Sequence, residues 1–175
     1  MTVLFSFRGK PRAARRILCA TVLWLACAVL LSAQDSPEAD RELVALLNKT
    51  GLRYGLMNTG GVRLQFSLEN GRTHQVIIKR ERNTIGNLQL WEAVTFAWKG
   101  THRPSAQISH RILADNSQKK IGAWELVSRD DTEYYLVFNV KIPVSCDPVS
   151  LKAILLAAAF GADRMEADIA EGDEF

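Results

Sequence analysis

The fold is decided by residues 134–169, which read YYLVFNVKIPVSCDPVSLKAILLAAAFGADRMEADI. The first part predicts a strand with one buried face, because apolar side chains stand at every second position: Tyr134, Leu136, Phe138, Val140 and Ile142. Asp147 and Pro148 predict the start of a helix, since the carboxylate can accept from free backbone N–H groups and proline needs no partner. Nearly every residue from Leu151 to Phe160 is apolar, so we expect the rest of the domain to cover this strand and helix.

The first 33 residues have the layout of a secretory signal peptide. Five basic residues and no acid come first, and an apolar run from Ile17 to Leu31 ends at the small residues Ser32 and Ala33. A helix of that run spans about 22 Å, less than the roughly 30 Å of a hydrocarbon core. We therefore predict a signal peptide at 1–33, one domain at 34–175, and a periplasmic or secreted location. An uncleaved leader would instead anchor the protein in the membrane.

Removal of the leader changes the charge of the chain. The whole sequence has 22 basic and 19 acidic residues, of which five basic residues and no acidic ones precede Gln34. Seventeen basic and 19 acidic residues remain, which gives a net charge of −2. A domain without a basic surplus is not expected to bind nucleic acid. Cys146 is the one cysteine after the leader, so no disulfide within the domain is expected.

The sequence predicts an α+β fold, an antiparallel sheet packed against helices in the order α-β-β-β-β-α-β-β-α, preceded by the signal peptide. Asn70-Gly71 between two alternating segments is typical of a tight hairpin. The segment from Leu88 to Trp98 is read as a long strand with a bend near Trp91 and Glu92. The predicted elements are a helix capped by Ser36-Pro37, strands at 52–57, 62–68, 73–80 and 88–98, a helix at 106–115, strands at 122–127 and 132–142, and the final helix.

Four short segments carry a resemblance to a known family. Residues 113–116 read LADN and residues 120–126 read KIGAWEL, and KIP at 141–143 precedes GADRME at 161–166. In these segments and their order, the chain from Leu43 to Ile169 resembles the YbjN family, whose domains share the fold of type III secretion chaperones. In such chaperones a partner segment packs against the outside of the sheet and helices, often as an added strand. The resemblance therefore implies a polypeptide-binding module.

Residue types that carry chemistry are present but scattered. The histidines, His74, His102 and His110, show no metal-ligand spacing, and the sequence has no nucleophile or phosphate-binding motif. Asp163, Glu166 and Asp168 lie close together on the final helix, where we interpret them as solubilising surface carboxylates. We accordingly expect no enzyme, no metal and no cofactor.

The aromatic residues give a better indication of function. Trp91 and Tyr135 fall on the phase opposite to the apolar face of their strands, so we expect them on the outer face of the sheet. An apolar patch next to basic side chains often marks a protein contact. The predicted partner-binding residues are Trp91, Tyr135, Lys79, Arg80, Arg82 and Arg103.

The predicted function is that of an exported, non-catalytic binding or chaperone-like regulatory module that engages a polypeptide partner, with homodimerisation as one form. The alternative is a small-molecule-binding or envelope-sensing domain, with a pocket between Trp124 and the C-terminal helix. A continuous apolar area on the outer sheet face favours the first hypothesis, whereas a polar face with an internal cavity favours the second.

Overall fold

A computed structural model describes residues 38–68 and 71–169. The predicted signal peptide at 1–33 lies outside the described residues. These described residues form ten helices and strands, numbered here in chain order. They are α1 Arg41–Thr50, β1 Tyr54–Leu56, β2 Val62–Ser67, β3 Thr73–Ile78, β4 Asn83–Ile85, β5 Leu88–Gly100, α2 Ala106–Asn116, β6 Ala123–Arg129, β7 Glu133–Pro143 and α3 Pro148–Ile169.

The strands form one antiparallel sheet in the order β1-β2-β3-β5-β7-β6. The short strand β4 pairs with the beginning of β5, outside this order. The predicted α+β class with an antiparallel sheet is therefore confirmed. The predicted element order lacked β4, whose three residues carry no alternating apolar pattern and are all exposed. Hydrophobic periodicity cannot identify a strand of three exposed residues.

Helix α3 supplies most of the core on one face of the sheet. It packs against β3, β5 and β7, and α1 packs beside it. Its start agrees with the sequence, because Asp147 Oδ1 accepts from the backbone N–H groups of Val149 and Ser150 at 2.9 and 3.0 Å. Leu151, Leu155 and other apolar residues of α3 are fully buried with the inward side chains of the sheet. The opposite face of the sheet is called the far face below.

The predicted start of the first helix is wrong. The helix begins at Arg41, and its N-cap is Asp40 rather than Ser36. Asp40 Oδ1 accepts from the N–H groups of Glu42 and Leu43 at 3.0 and 3.1 Å. Both Ser and Asp are good caps, so the local sequence did not distinguish them. Asp40 also binds Arg82 and Trp91, which are distant in sequence, and these contacts favour it as the N-cap.

The predicted phase of β5 is also wrong. The bulge lies between Phe96 and Trp98, not near Trp91 and Glu92. The extra residue, Ala97, lets Trp91 before the bulge and Trp98 after it both contact the core. A strand in the middle of a sheet that is apolar on both faces gives no clear period, which explains the error.

Candidate functional site

Trp91 lies in the core, so its expected place on the outer face is wrong. Its exposed fraction is 1%, and its indole Nε1 donates to Asp40 Oδ2 at 3.0 Å. Arg82 donates from Nε to the same carboxylate oxygen at 2.5 Å and stacks over the Trp91 ring at 5.7 Å. The Arg82 guanidinium holds the pKa of Asp40 well below its usual range. Trp91 and Arg82 thus tie the sheet to the start of α1.

Lys79 also takes part in an internal polar cluster. Glu92, on the far face of β5, is 8% exposed and pairs with Lys79, which directly follows β3, and with Lys141 of β7. Asn83 and Asn139 donate to the same carboxylate at 3.0 and 2.9 Å. Burial opposes ionisation, but the hydrogen bonds from Lys141, Lys79 and Asn83 prevail and lower the pKa of Glu92 to about 2. The far face near Trp91 is therefore polar, not the apolar patch that the sequence predicted.

The remaining predicted residues lie at separate places. Arg80 is exposed and donates to the backbone carbonyl of Glu38 at 3.1 Å, and Arg103 is exposed in the middle of the loop before α2. Tyr135 lies on the far face as predicted, edge-on to Phe96 with ring centroids 5.9 Å apart. Lys99 lies over its ring at 5.5 Å. The six predicted residues therefore do not form one surface.

A buried charged cluster was missed by the sequence analysis. Glu166 and His74 are both fully buried, with Glu166 Oε2 3.5 Å from His74 Nδ1. Arg72 donates to Asp163 Oδ1 at 2.6 Å and to Glu166 Oε2 at 3.0 Å. Asp163 and Glu166 are thus not the solubilising surface carboxylates that we expected. The helical spacing of these two carboxylates was the available signal, but their partners are more than 85 residues away in sequence.

This cluster has the ligand types of a metal site but a different organisation. One ligand atom each from His74, Asp163 and Glu166 lies within 4.8 Å of the others. The guanidinium of Arg72, however, already binds both carboxylates, as charged groups brought into a protein interior require. A metal ion would have to displace it. The cluster is best described as an ion-pair network that fixes the end of the β2–β3 hairpin against α3.

The junction of α2 and β6 corresponds to the LADN and KIGAWEL segments. Gly122 has φ +72°, and a Cβ there would lie 2.6 Å from the carbonyl oxygen of Asn139, so this close approach requires glycine. Asn116, the last residue of α2, accepts from the backbone N–H of Trp124 at 2.7 Å and donates to its carbonyl at 3.3 Å. The Asn116 amide therefore pairs with β6 as a neighbouring strand would.

That contact shows which way the backbone of β6 points. Trp124 lies opposite Phe138 of β7 but directs its own N–H and C=O towards Asn116, away from β7. Because directions alternate along a strand, Leu126 and Ser128 also direct their N–H and C=O away from β7. Among the described residues no strand pairs with β6 on that side. We call these backbone groups of Leu126 and Ser128 the open edge.

Exposed apolar side chains occur on β6 and on the helix that packs against it. Leu126 and Val127 are 49% and 42% exposed. Leu113 of α2 is 68% exposed, and α2 packs against β6. The far face of β6 carries Glu125, Val127 and Arg129. The two charged residues on this face were a signal in the sequence that could have identified β6 as an edge strand, since charged residues on a strand are typical of a sheet edge.

The sequence predicted a pocket between Trp124 and the last helix, whereas the cleft seen in the described residues has a different position. Trp124 is 6% exposed, packs on Phe138 with ring centroids 5.1 Å apart, and donates from Nε1 to Asp115 at 2.7 Å. An open cleft of about 720 Å³ lies instead between α2 and the end of α3. Its polar lining includes Ser105, Gln107, His110, Arg111 and Asp168.

No helix among the described residues is long and apolar enough to cross a membrane. Comparison with known proteins found no matching family model and no matching curated protein. The structure is similar to the crystal structure of YbjN, a candidate transcription regulator from E. coli. The two share 16% sequence identity, the match covers 72% of this chain and 86% of that one, and the TM-score is 0.47. The resemblance to YbjN that the sequence predicted is thus confirmed as a distant likeness of fold.

Proposed function

We propose that this protein is an exported, non-catalytic binding module that takes up a polypeptide partner by β-strand addition at the open edge. The observation that carries the proposal is the orientation of the β6 backbone, which the Asn116 contacts define. Leu126 and Ser128 offer two donors and two acceptors in the geometry of a sheet ladder. An extended polypeptide is the ligand that matches such a row of groups.

The side chains around the open edge support the same proposal. Backbone pairing supplies hydrogen bonds, and the exposed Leu126, Val127 and Leu113 supply apolar area for a partner. Pairing stops at Trp124, because the Asn116 amide already occupies its backbone groups. The added strand therefore extends from Leu126 towards Arg129.

Export is the second part of the proposal and rests on the leader alone. Basic residues, a short apolar run and Ser32-Ala33 are the features of a cleaved signal. Cell fractionation with N-terminal sequencing tests it. We expect envelope or secreted material that begins at Gln34. Cytosolic material that retains Met1 would overturn this part.

The polypeptide-binding role is tested by substitution of Ser128. Ser128→Pro removes one edge donor but no group that faces β7, and Ser128→Ala is the matched control, which also lacks the hydroxyl bond to Asp131. The tagged full chain is used to capture polypeptides from its own envelope fraction. We expect one defined set bound by the native chain and by Ser128→Ala, and lost with Ser128→Pro. Equal capture by Ser128→Pro would overturn strand addition.

A second candidate function is favoured by the cleft between α2 and α3. Its mixed polar and apolar lining and its volume of about 720 Å³ fall within the range of small-molecule sites. The Arg111–Asp168 ion pair, at 2.7 Å, lies in its wall. A thermal-shift screen that compares the native chain with Arg111→Ala tests this function. A ligand that stabilises the native chain only would support it.

A further inference from the structure

We infer that the polypeptide at the open edge is β6 of a second copy of this chain, paired antiparallel about a two-fold axis at Val127. The inference rests on the proposed strand addition and names its partner. It follows from the register that the edge allows and from the residues that this register places opposite each other.

The register is limited by the Asn116 contacts. Because Trp124 is occupied, only Leu126 and Ser128 can pair outwards. Two copies use both residues only when Leu126 of one copy lies opposite Ser128 of the other. This arrangement gives four backbone hydrogen bonds, two for each Leu126–Ser128 pair. If Leu126 lay opposite Leu126 of the other copy, Ser128 would lie opposite the occupied Trp124, and half of these bonds would be lost.

The same register is complementary in charge. It places Glu125 of each copy opposite Arg129 of the other, and Val127 opposite Val127. All three residues lie on the far face of β6, and all are exposed. Within one copy, Glu125 accepts from Asn139 at 3.0 Å, and Arg129 lies opposite Glu133 in the hairpin. Opposite charges directly across a ladder stabilise the pairing, and the two-fold symmetry produces that pair twice.

Apolar contact completes the interface. Val127, 42% exposed, lies on the axis against its own counterpart. Leu126 projects on the face that carries the helices, as Trp124 does, and is 49% exposed. Aliphatic side chains on both faces of the joined strands would be removed from water together. Every contact away from the axis is made twice by equivalent residues, as an isologous dimer requires.

A charge exchange tests the inference. The full chain, purified as expressed, is studied by sedimentation equilibrium with four variants: Glu125→Arg, Arg129→Glu, the double exchange, and Glu81→Arg. Glu81 is exposed and lies outside β6, so Glu81→Arg makes the same charge change as a matched control. We expect the native chain and Glu81→Arg to dimerise alike. Each single β6 change should weaken the dimer by about tenfold, because it puts like charges opposite each other twice, and the double exchange should restore it.

The outcomes separate this inference from the proposed function. A native chain that stays monomeric, or a dimer that ignores the single changes, would overturn the inference. If Ser128→Pro still abolishes capture of another polypeptide in that case, the proposed function stands. A double exchange that stays as weak as the single changes would also overturn the register, since the two charges would not be opposite each other. Rescue by the double exchange is the result that only this register predicts.

Discussion

The two edges of the sheet differ in how much backbone they offer to a partner. β1 has three residues, Tyr54–Leu56, whereas β6 has seven. A very short edge strand is a common protection against unwanted pairing. Within residues 38–68 and 71–169, β6 is protected only at one end, where Asn116 binds Trp124. Exposure alone therefore does not define a binding edge, because Leu56 on β1 is 62% exposed, more than Leu126 or Val127 of β6, but belongs to a strand of only three residues.

The largest expected effect comes from Gly122, which directly precedes β6. Gly122→Ala should destabilise the fold by about 2–4 kcal/mol, because it combines φ +72° with a Cβ that would lie 2.6 Å from a carbonyl oxygen. Gly55→Ala on β1 is the matched control, since nothing lies within 4 Å of a Cβ there. Urea unfolding measures both changes. Equal losses at the two glycines would contradict the close approach of residue 122 to β7.

At the centre of the sheet, the buried carboxylate of Glu92 should make the stability of the protein depend on pH. The pKa of Glu92 is lowered from 4.5 to about 2, so its contribution to stability is fully present above pH 4.5 and is lost as the pH falls through about 2. The contribution is at most roughly 3 kcal/mol. Glu92→Gln should therefore be less stable than the native chain at pH 7, with a difference that shrinks towards pH 2. Urea unfolding at several pH values tests this prediction, and a difference independent of pH would contradict it.

Loss of the Asn116 amide, which binds the backbone of Trp124 at the start of β6, should lower the stability of the protein. Asn116→Ala leaves the N–H and C=O of Trp124 without their partner and should cost about 1–2 kcal/mol. Asn116→Asp keeps an acceptor for the N–H and should cost less. Asn48→Ala is a control, because its amide oxygen makes an exposed bond to the Tyr54 hydroxyl. If the Asn116→Ala protein were as stable as the native chain, the two Asn116 hydrogen bonds would not contribute to stability.

The smallest change in stability should come from the exposed apolar residues. Leu126→Lys and Leu56→Lys should each change the free energy of unfolding by less than about 0.5 kcal/mol. Only Leu126→Lys should weaken association, because it places a charge beside the open edge. Sedimentation equilibrium at matched concentrations compares the two. Equal weakening by Leu56→Lys would indicate that both edges take part.

Strong local signals made part of this structure predictable. The Asp147-Pro148 helix start and the alternation of β2 are both present as the sequence predicts, because each depends on neighbours along the chain. The site was harder to predict. The orientation of Trp91 depends on a bulge six residues further on, and the cap at Asp40 depends on Arg82, 42 residues away. The open edge depends on strand order, which sequence periodicity does not contain.

The most direct test of the central claim is amide hydrogen exchange along β6, resolved by residue and measured by NMR at low and high protein concentration. We predict slow exchange at Glu125 and Val127 at every concentration, since these amides face β7. Leu126 and Ser128 should exchange rapidly in dilute solution and become protected as the concentration rises. Protection of both amides at the lowest concentration, or rapid exchange at every concentration, would contradict the account.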